Sequence, residues 1–312
     1  MLFIKKNTFF FFVLTLFILV NSWAQTPPTL TASGNQAYCP LSYIPIVTDF
    51  SIANPDAVEI NYVYIQISEG YVRGEDSLIL TGSHPNITAK TFDQQEAKLE
   101  LEWTGSGTSN DSEIIAAVKD VVFRNNTITP SSDKSFSITI GDANYLPSTD
   151  HYYEYVPDPE ITWQNAKIAA EARDYYGLQG YLATLTTLEE GILCGEQADG
   201  QGWIGGSDND VEGTWKWVTG PEAGSTFWFG LANGNNIGAD FTYENWDSGE
   251  PNDWPDGSSI PGQENYAHVY NTGNWNDYPN YNSNIKGYIV EYGGMPGDPI
   301  LNISASTKIF IP

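Results

Sequence analysis

Residues 246–277 carry Glu250-Pro251-Asn252, then Glu264, then Trp275-Asn276-Asp277, set among Gly, Asn, Pro and Trp. Such a segment follows neither the period of an amphipathic helix nor the alternation of a strand, so these side chains stand on a long loop. Glu250, Glu264 and Asp277 offer carboxylates, and Asn252 and Asn276 offer amide oxygens. Hard oxygens of this kind suit calcium, which takes about six to eight of them, better than zinc, which prefers His and Cys. His84, His151 and His268 are scattered without metal-ligand spacing, and His268, in a strand-like run, reads as a packing residue.

The elements that must hold this loop follow from the patterning around it. Thr162 caps a predicted helix running to about Tyr176, with Trp163, Ala166, Ala169, Ala170 and Arg173 as its stripe and Gly177 as its stop. A short strand at 181–185 leads into Thr186-Thr187-Leu188-Glu189, a capping box for a second helix ending near Gln197. From Trp203 to Tyr292 short strands alternate with long loops, and Trp203, Trp215, Trp217, Trp228 and Trp246 are the expected core. Upstream, 45–146 is a succession of strand-like runs separated by Gly, Asn, Asp and Pro, interrupted by one helix at 111–120 where Ile114, Ile115 and Val118 share a face. That is the signature of a sandwich.

Composition bounds the setting. Lys5 and Lys6, an apolar stretch at 9–20 and Ser22-Trp23-Ala24 form a secretion signal over 1–24, so an exported, soluble or surface-attached protein without a later membrane span is expected. The 312 residues carry 39 acidic against 13 basic side chains, a net charge of −26 that repels nucleic acid and anionic lipid. Two cysteines, Cys39 and Cys194, fall in different predicted domains and provide no disulfide framework; they read as unpaired thiols, with a bridge between them as the alternative.

Two resemblances sharpen this reading. Over 150–293 the chain resembles the C-type lectin family, on parts that arrive in the family's order: Trp163 and Ala166, Trp203-Ile204-Gly205-Gly206, Glu212-Gly213-Thr214-Trp215-Lys216-Trp217, Trp246, Glu250-Pro251-Asn252, Glu264-Asn265-Tyr266, Trp275-Asn276-Asp277 and Gly287-Tyr288-Ile289-Val290-Glu291-Tyr292. The run 65–71, Glu75-Asp76-Ser77-Leu78, 114–121 and Ile138-Thr139-Ile140-Gly141-Asp142 are similar to a cadherin-like repeat of the proteoglycan type found in adhesins. The implied fold class is α+β: a lead-in at 25–44, an all-β sandwich at 45–146, a C-type lectin-like domain at 150–293 with two helices, short antiparallel strands and a long calcium loop, and a tail at 294–312 holding one or two strands.

The resemblance implies that Glu250, Asn252, Glu264, Asn276 and Asp277 hold a principal Ca2+, Asp277 also through its carbonyl, and that Pro251 is cis. It further implies an auxiliary ion on Asp208, Glu212 and Asp253 with Glu264 shared. The same five residues would bind carbohydrate, two vicinal hydroxyls completing the calcium shell, and the Glu-Pro-Asn order implies mannose, glucose or N-acetylglucosamine type ligands. Trp254 either stacks on a sugar face or packs as a buried indole. Asp142 reads as an interdomain ligand or as a solvated strand end. Departures exist: Tyr266, Asn280 and Val290 occupy the family's disulfide positions, and the insertion 253–263 either deepens or shields the site.

The resulting expectation is a secreted, bacterial, cell-surface adhesin that binds glycans or glycoconjugates through Ca2+, with no enzymatic activity. No Ser-His-Asp elbow, phosphate loop or HExxH is present, and the acidic groups cluster as an ion cage instead of the paired acids of a glycosidase. The alternative is a calcium-stabilised protein-binding or structural surface module without sugar binding.

Overall fold

In the run Lys98–Trp103, alternate residues Leu99 and Leu101 turn inward, which is what a half-buried strand requires. The computed structural model describes residues 26–198, 200–254 and 263–312. The secretion signal expected at 1–24 and most of the insertion expected at 253–263 lie outside the described residues. Lys98–Trp103 belongs to a six-stranded sheet in the order Gln36–Ala37, Ser304–Phe310, Lys134–Thr139, Tyr62–Glu69, Lys98–Trp103, Ile87–Ala89. A three-stranded sheet of Ile44–Pro45, Val121–Asn125 and Asp76–Leu80, and the pair Thr29–Ser33 with Asp49–Ala53, share its core of Ile65, Ile67, Leu78, Phe123, Phe136 and Ile138. The helix Asp111–Lys119 starts where the Asn110 side chain accepts the Ser112 N–H, and it buries Ile114, Ala117 and Val118.

The segment read as a tail supplies a strand of this first sheet. Ser304–Phe310 runs antiparallel to Lys134–Thr139, pairing Thr139 with Ser304 and Lys134 with Ile309. Everything between these two neighbouring strands, including the whole second sheet, is therefore inserted within the first unit. Gln197, almost fully buried, donates from Nε2 to the Ile67 and Glu96 carbonyls at 3.0 and 3.2 Å across the two units. Arg73 and Gln95 donate to the Glu196 carbonyl at 2.6 and 2.8 Å. Asp142 is exposed at the junction.

In the inserted unit, Gly287–Tyr292 is the central strand. It pairs antiparallel with His151–Pro157 and Leu178–Leu182 and meets Gly202–Ser207 in parallel at Trp203 and Tyr288. Gly202–Ser207 continues to Thr214–Trp217 and Thr226–Phe229 on one path and to the hairpin Tyr266–Val269/Trp275–Tyr278 on another. Trp203, Trp215 and Trp217 are buried as expected, with Trp228 at 8% exposure; Trp246 is only half-buried.

The first helix of this unit is shorter than the pattern predicted. Capped by Thr162, it covers Trp163–Glu171 and stops at Ala172, because Arg173 leaves the helical path to bond Glu154 and the Tyr292 hydroxyl. Gly177, at φ +90°, turns Asp174–Tyr175 back onto Leu178–Leu182 instead of ending the helix. The capping box forms one residue later than expected: the Thr187 hydroxyl accepts the Glu190 N–H, and Glu190 accepts the Thr187 N–H. Leu188–Gly191 is α-helical and continues as a π-helix over Ile192–Glu196. Cys39 is exposed, Cys194 is buried, and both are free.

One interaction in the first unit is open to a direct test. Lys134 and Asp76 form an ion pair at 2.9 Å with both side chains fully buried, and Asp76 also accepts the Val72 N–H and the Asn125 amide. Removing one partner strands the other charge in a dry core. Lys134→Ala is expected to cost about 3–5 kcal/mol in urea unfolding, and the paired substitution Lys134→Met/Asp76→Leu to recover most of that loss. A Lys134→Ala protein as stable as the parent would show that the pair contributes nothing.

Candidate functional site

The hairpin Tyr266–Val269/Trp275–Tyr278 sets the register of the site, placing Asn276 opposite His268 and Asp277 opposite Ala267. Trp275 anchors it from below. Its buried indole meets Trp217 at 5.8 Å, Tyr243 at 5.5 Å and Trp246 at 5.8 Å. Its backbone donates to the Asn245 carbonyl and accepts from the Asp247 N–H, each at 2.8 Å, which tethers the segment approaching Glu250 to the same strand.

Above this anchor the loop is laced to the Asp277 carboxylate. Asn252 and Asp253 donate their backbone N–H groups to it at 3.0 and 2.8 Å. Asp253 adopts the left-handed conformation at φ +48°, which an Asp tolerates better than most residues. Its own carboxylate accepts the Gln263 and Glu264 N–H groups at 2.8 and 3.3 Å, while Glu264 accepts the Trp254 N–H at 2.7 Å. The Glu250–Pro251 peptide is cis, and the Glu250 carboxyl lies within the field of Asp277.

Of the five residues read from the sequence, Glu250, Asn252 and Glu264 lie on the loop, whereas Asn276 and Asp277 stand on the strand Trp275–Tyr278 instead of the expected loop, because they pair with His268 and Ala267. Asp208, Glu212 and Asp253 sit within the field of the site: Asp208 accepts the Gly213 N–H at 2.9 Å, and Glu212 feels the charges of Asp253 and Asp277. Among the described residues no three His, Cys, Asp or Glu side chains already form a closed metal cage. The donor set nevertheless fits a hard cation, because Glu250 Oε2, Asn252 Oδ1 and Asp208 Oδ1 are buried without a hydrogen-bond partner. Such orphaned acceptors are costly unless an ion or water answers them.

The electrostatics have the same origin. Burial, then the Asp277, Glu264 and Asp247 charges, push Glu250 up to about 8. Burial pushes Asp208 up to about 7, with Glu212 and Asp277 adding to the effect. Asp277 is raised by burial against the opposing pull of its N–H donors.

Two residues were under-read in the sequence. His268 does pack as expected, stacked on Tyr278 at 4.2 Å, but burial holds it neutral at about 3. Its Nε2 therefore accepts from Asn276 Nδ2 at 3.2 Å, and the same amide nitrogen donates to the Asp277 carbonyl at 2.8 Å. This leaves Asn276 Oδ1 as the end of the amide that can face a cation. Asn265 also carries an Oδ1 that is buried without a partner. Its position next to Glu264 was the available signal. Trp254 is 67% exposed beside Glu264, which removes the buried-indole alternative.

No family model matches the chain. Halomucin from Haloquadratum walsbyi (strain DSM 16790 / HBSQ001) is 33% identical over 297 residues, which are 91% of this chain and 3% of halomucin. C-type lectin domain family 10 member A from Homo sapiens is 32% identical over 110 residues, 35% of this chain and 29% of that protein. Hepatic lectin from Gallus gallus is 36% identical over 75 residues, 24% of this chain and 26% of that protein. The chain thus spans less than a third of the length of each of these relatives. Among solved structures, the cow C-type carbohydrate-recognition domain of CD23 is 24% identical, covering 47% of this chain and 90% of that one at a TM-score of 0.34. A calcium-independent type II antifreeze protein is 19% identical, covering 50% and 97% at 0.35.

The raised carboxyls predict a sign for the pH dependence. Without metal, Glu250 and Asp208 hold protons in the fold above their ordinary 4.5 and 3.8, so their contribution is fully present below those values and is lost as pH rises through about 7 to 8. The unfolding midpoint of the metal-free protein should therefore fall between about pH 5 and about pH 8, and excess calcium should cancel the fall. A metal-free midpoint that rises over this range would contradict the arrangement.

Proposed function

We propose, from the premise that the C-terminal half of this chain is a C-type lectin-like domain, that it is a calcium-dependent carbohydrate-binding module of a secreted or surface protein. The observation that carries this reading is the pair of orphaned oxygens on Glu250 and Asn252, held on either side of the cis peptide in a loop cross-bonded to Asp277. Among the described residues no helix is long and apolar enough to cross a membrane.

Glu250, Asn252, Glu264, Asn276 and Asp277 would hold Ca2+, with Asp208, Glu212 and Asp253 as the set for an auxiliary ion. The cation supplies charge neutralisation and coordination valence for a sugar's vicinal hydroxyls. The chain does the rest. Carboxylate oxygens of Glu250 and Glu264 accept hydroxyl protons and the amide nitrogen of Asn252 donates in return, whereas Asn276, whose nitrogen is held by His268 and the Asp277 carbonyl, offers only its oxygen to the cation. His268 fixes which end of Asn276 faces the site. The exposed Trp254 offers an apolar face for a pyranose ring. The Glu-Pro-Asn order supports mannose, glucose or N-acetylglucosamine type ligands. One such site binds weakly, with a Kd on the order of millimolar, and gains strength by multivalency.

The test is a glycan array read with and without chelator, followed by calorimetry with methyl mannoside. Chelator-sensitive signals on mannose-type glycans are expected, and Asn276→Ala should lower calcium-dependent affinity at least about tenfold while circular dichroism stays unchanged. Calcium binding with a blank array would instead support a protein-binding or structural module. Glycan binding that survives chelator would remove the metal from the reading.

A further inference from the structure

On the face beside the candidate calcium loop lies a second recess. A cavity of about 290 Å3 is bounded by the helix Trp163–Glu171 and the strands Gly202–Ser207 and Thr214–Trp217. It shares Asn209 and Tyr266 with an open hollow of about 410 Å3 that reaches Gln263 and Asn265, the two neighbours of Glu264. The two recesses adjoin at Asn209, whose side-chain oxygen accepts from Asn265 Nδ2 and the Tyr266 hydroxyl at 3.4 Å, and together they make up a groove beside the loop.

The register fixes what the groove presents. Tyr266 pairs directly with Ser207, and Ser207 with Lys216, so all three side chains lie on the same face of the sheet. Trp163 stacks on Tyr266 at 4.6 Å and 29°, and both are more than nine-tenths buried, so the groove meets the edge of an aromatic pair. Two strand spacings separate Tyr266 from Lys216, and two residues along the chain separate it from Glu264. The path from Glu264 to Lys216 is therefore about 12 Å, the reach of a di- or trisaccharide.

Lys216 is unusual in this chain. Every other Lys or Arg among the described residues has a side-chain hydrogen bond, ion pair or ring contact, including Lys167 with Glu171 at the same cavity. Lys216 has none, although acidic residues outnumber basic ones three to one. It is half-buried at the cavity wall. Asp210 also lines the cavity, but it is exposed and screened by solvent, whereas a half-buried ammonium is screened less.

We propose that this groove is a subsite for a negatively charged sugar unit, a pyranose bearing a carboxylate or a sulfate ester, whose anion meets Lys216 while its ring rests against the edge of Tyr266 and Trp163. The inference rests on the carbohydrate reading above: the neighbouring unit of the same oligosaccharide occupies the calcium loop. It narrows the ligand class from neutral mannose-type sugars to acidic oligosaccharides.

The test is calorimetry on the full chain with calcium, using methyl mannoside, neutral mannobiose, sulfated mannobiose and a mannose disaccharide ending in a uronic acid. One or both charged disaccharides should bind about two- to five-fold tighter than neutral mannobiose, the range of a partly exposed ion pair. Lys216→Gln should erase that gain and leave methyl mannoside unchanged, and Lys216→Arg should retain it. Preference for one charged sugar alone assigns the anion as sulfate or carboxylate. Equal binding of charged and neutral disaccharides, or a preference that survives Lys216→Gln, overturns the subsite while the calcium loop stands. No binding of methyl mannoside overturns the calcium-loop reading and the subsite with it.

Discussion

The seating of Trp275 is the contact on which the chemistry of this protein depends. Its indole lies fully buried among Trp217, Phe227, Tyr243 and Trp246, and its backbone ties the segment 245–247 to the same strand. Removing a buried tryptophan typically costs about 3–5 kcal/mol. An anchor of that size can hold Asn276 and Asp277 in place while acidic groups crowd around them. Without it, mutual repulsion and hydration would draw Glu250, Glu264 and Asp277 apart, since solvated carboxylates have no reason to converge.

The described parts of the loop are tied down without regular structure. Backbone N–H groups of Asn252, Asp253, Trp254, Gln263 and Glu264 all end on carboxylates of the site itself. The same oxygens that suit a cation therefore also satisfy the backbone. These bonds hold the described ends of the loop, 250–254 and 263–264, against the strand Trp275–Tyr278.

The two units are joined more closely than a linker would join them. Because Ser304–Phe310 pairs with Lys134–Thr139, the second unit leaves and re-enters the first between adjacent strands, and Gln197 bonds the first unit's backbone across the interface. Two covalent connections and buried hydrogen bonds restrict how the site can swing relative to the sandwich. Halomucin matches across nearly the whole chain, both units together.

Much of this was legible in the residues alone. Alternation in Lys98–Trp103, the face of Ile114 and Val118 and the Thr162 cap all depend on neighbours close in sequence, so local pattern determined them. The helix end at Ala172, the return of the last strand to the first sheet and the role of His268 were decided by partners that local pattern does not reach: Glu154, Tyr292, Lys134–Thr139 and Asn276. Local sequence determines which groups can serve as ligands and which segments can be strands. Tertiary packing alone decides which of those groups are buried, oriented and facing one another, because burial and strand pairing are set by residues far apart along the chain.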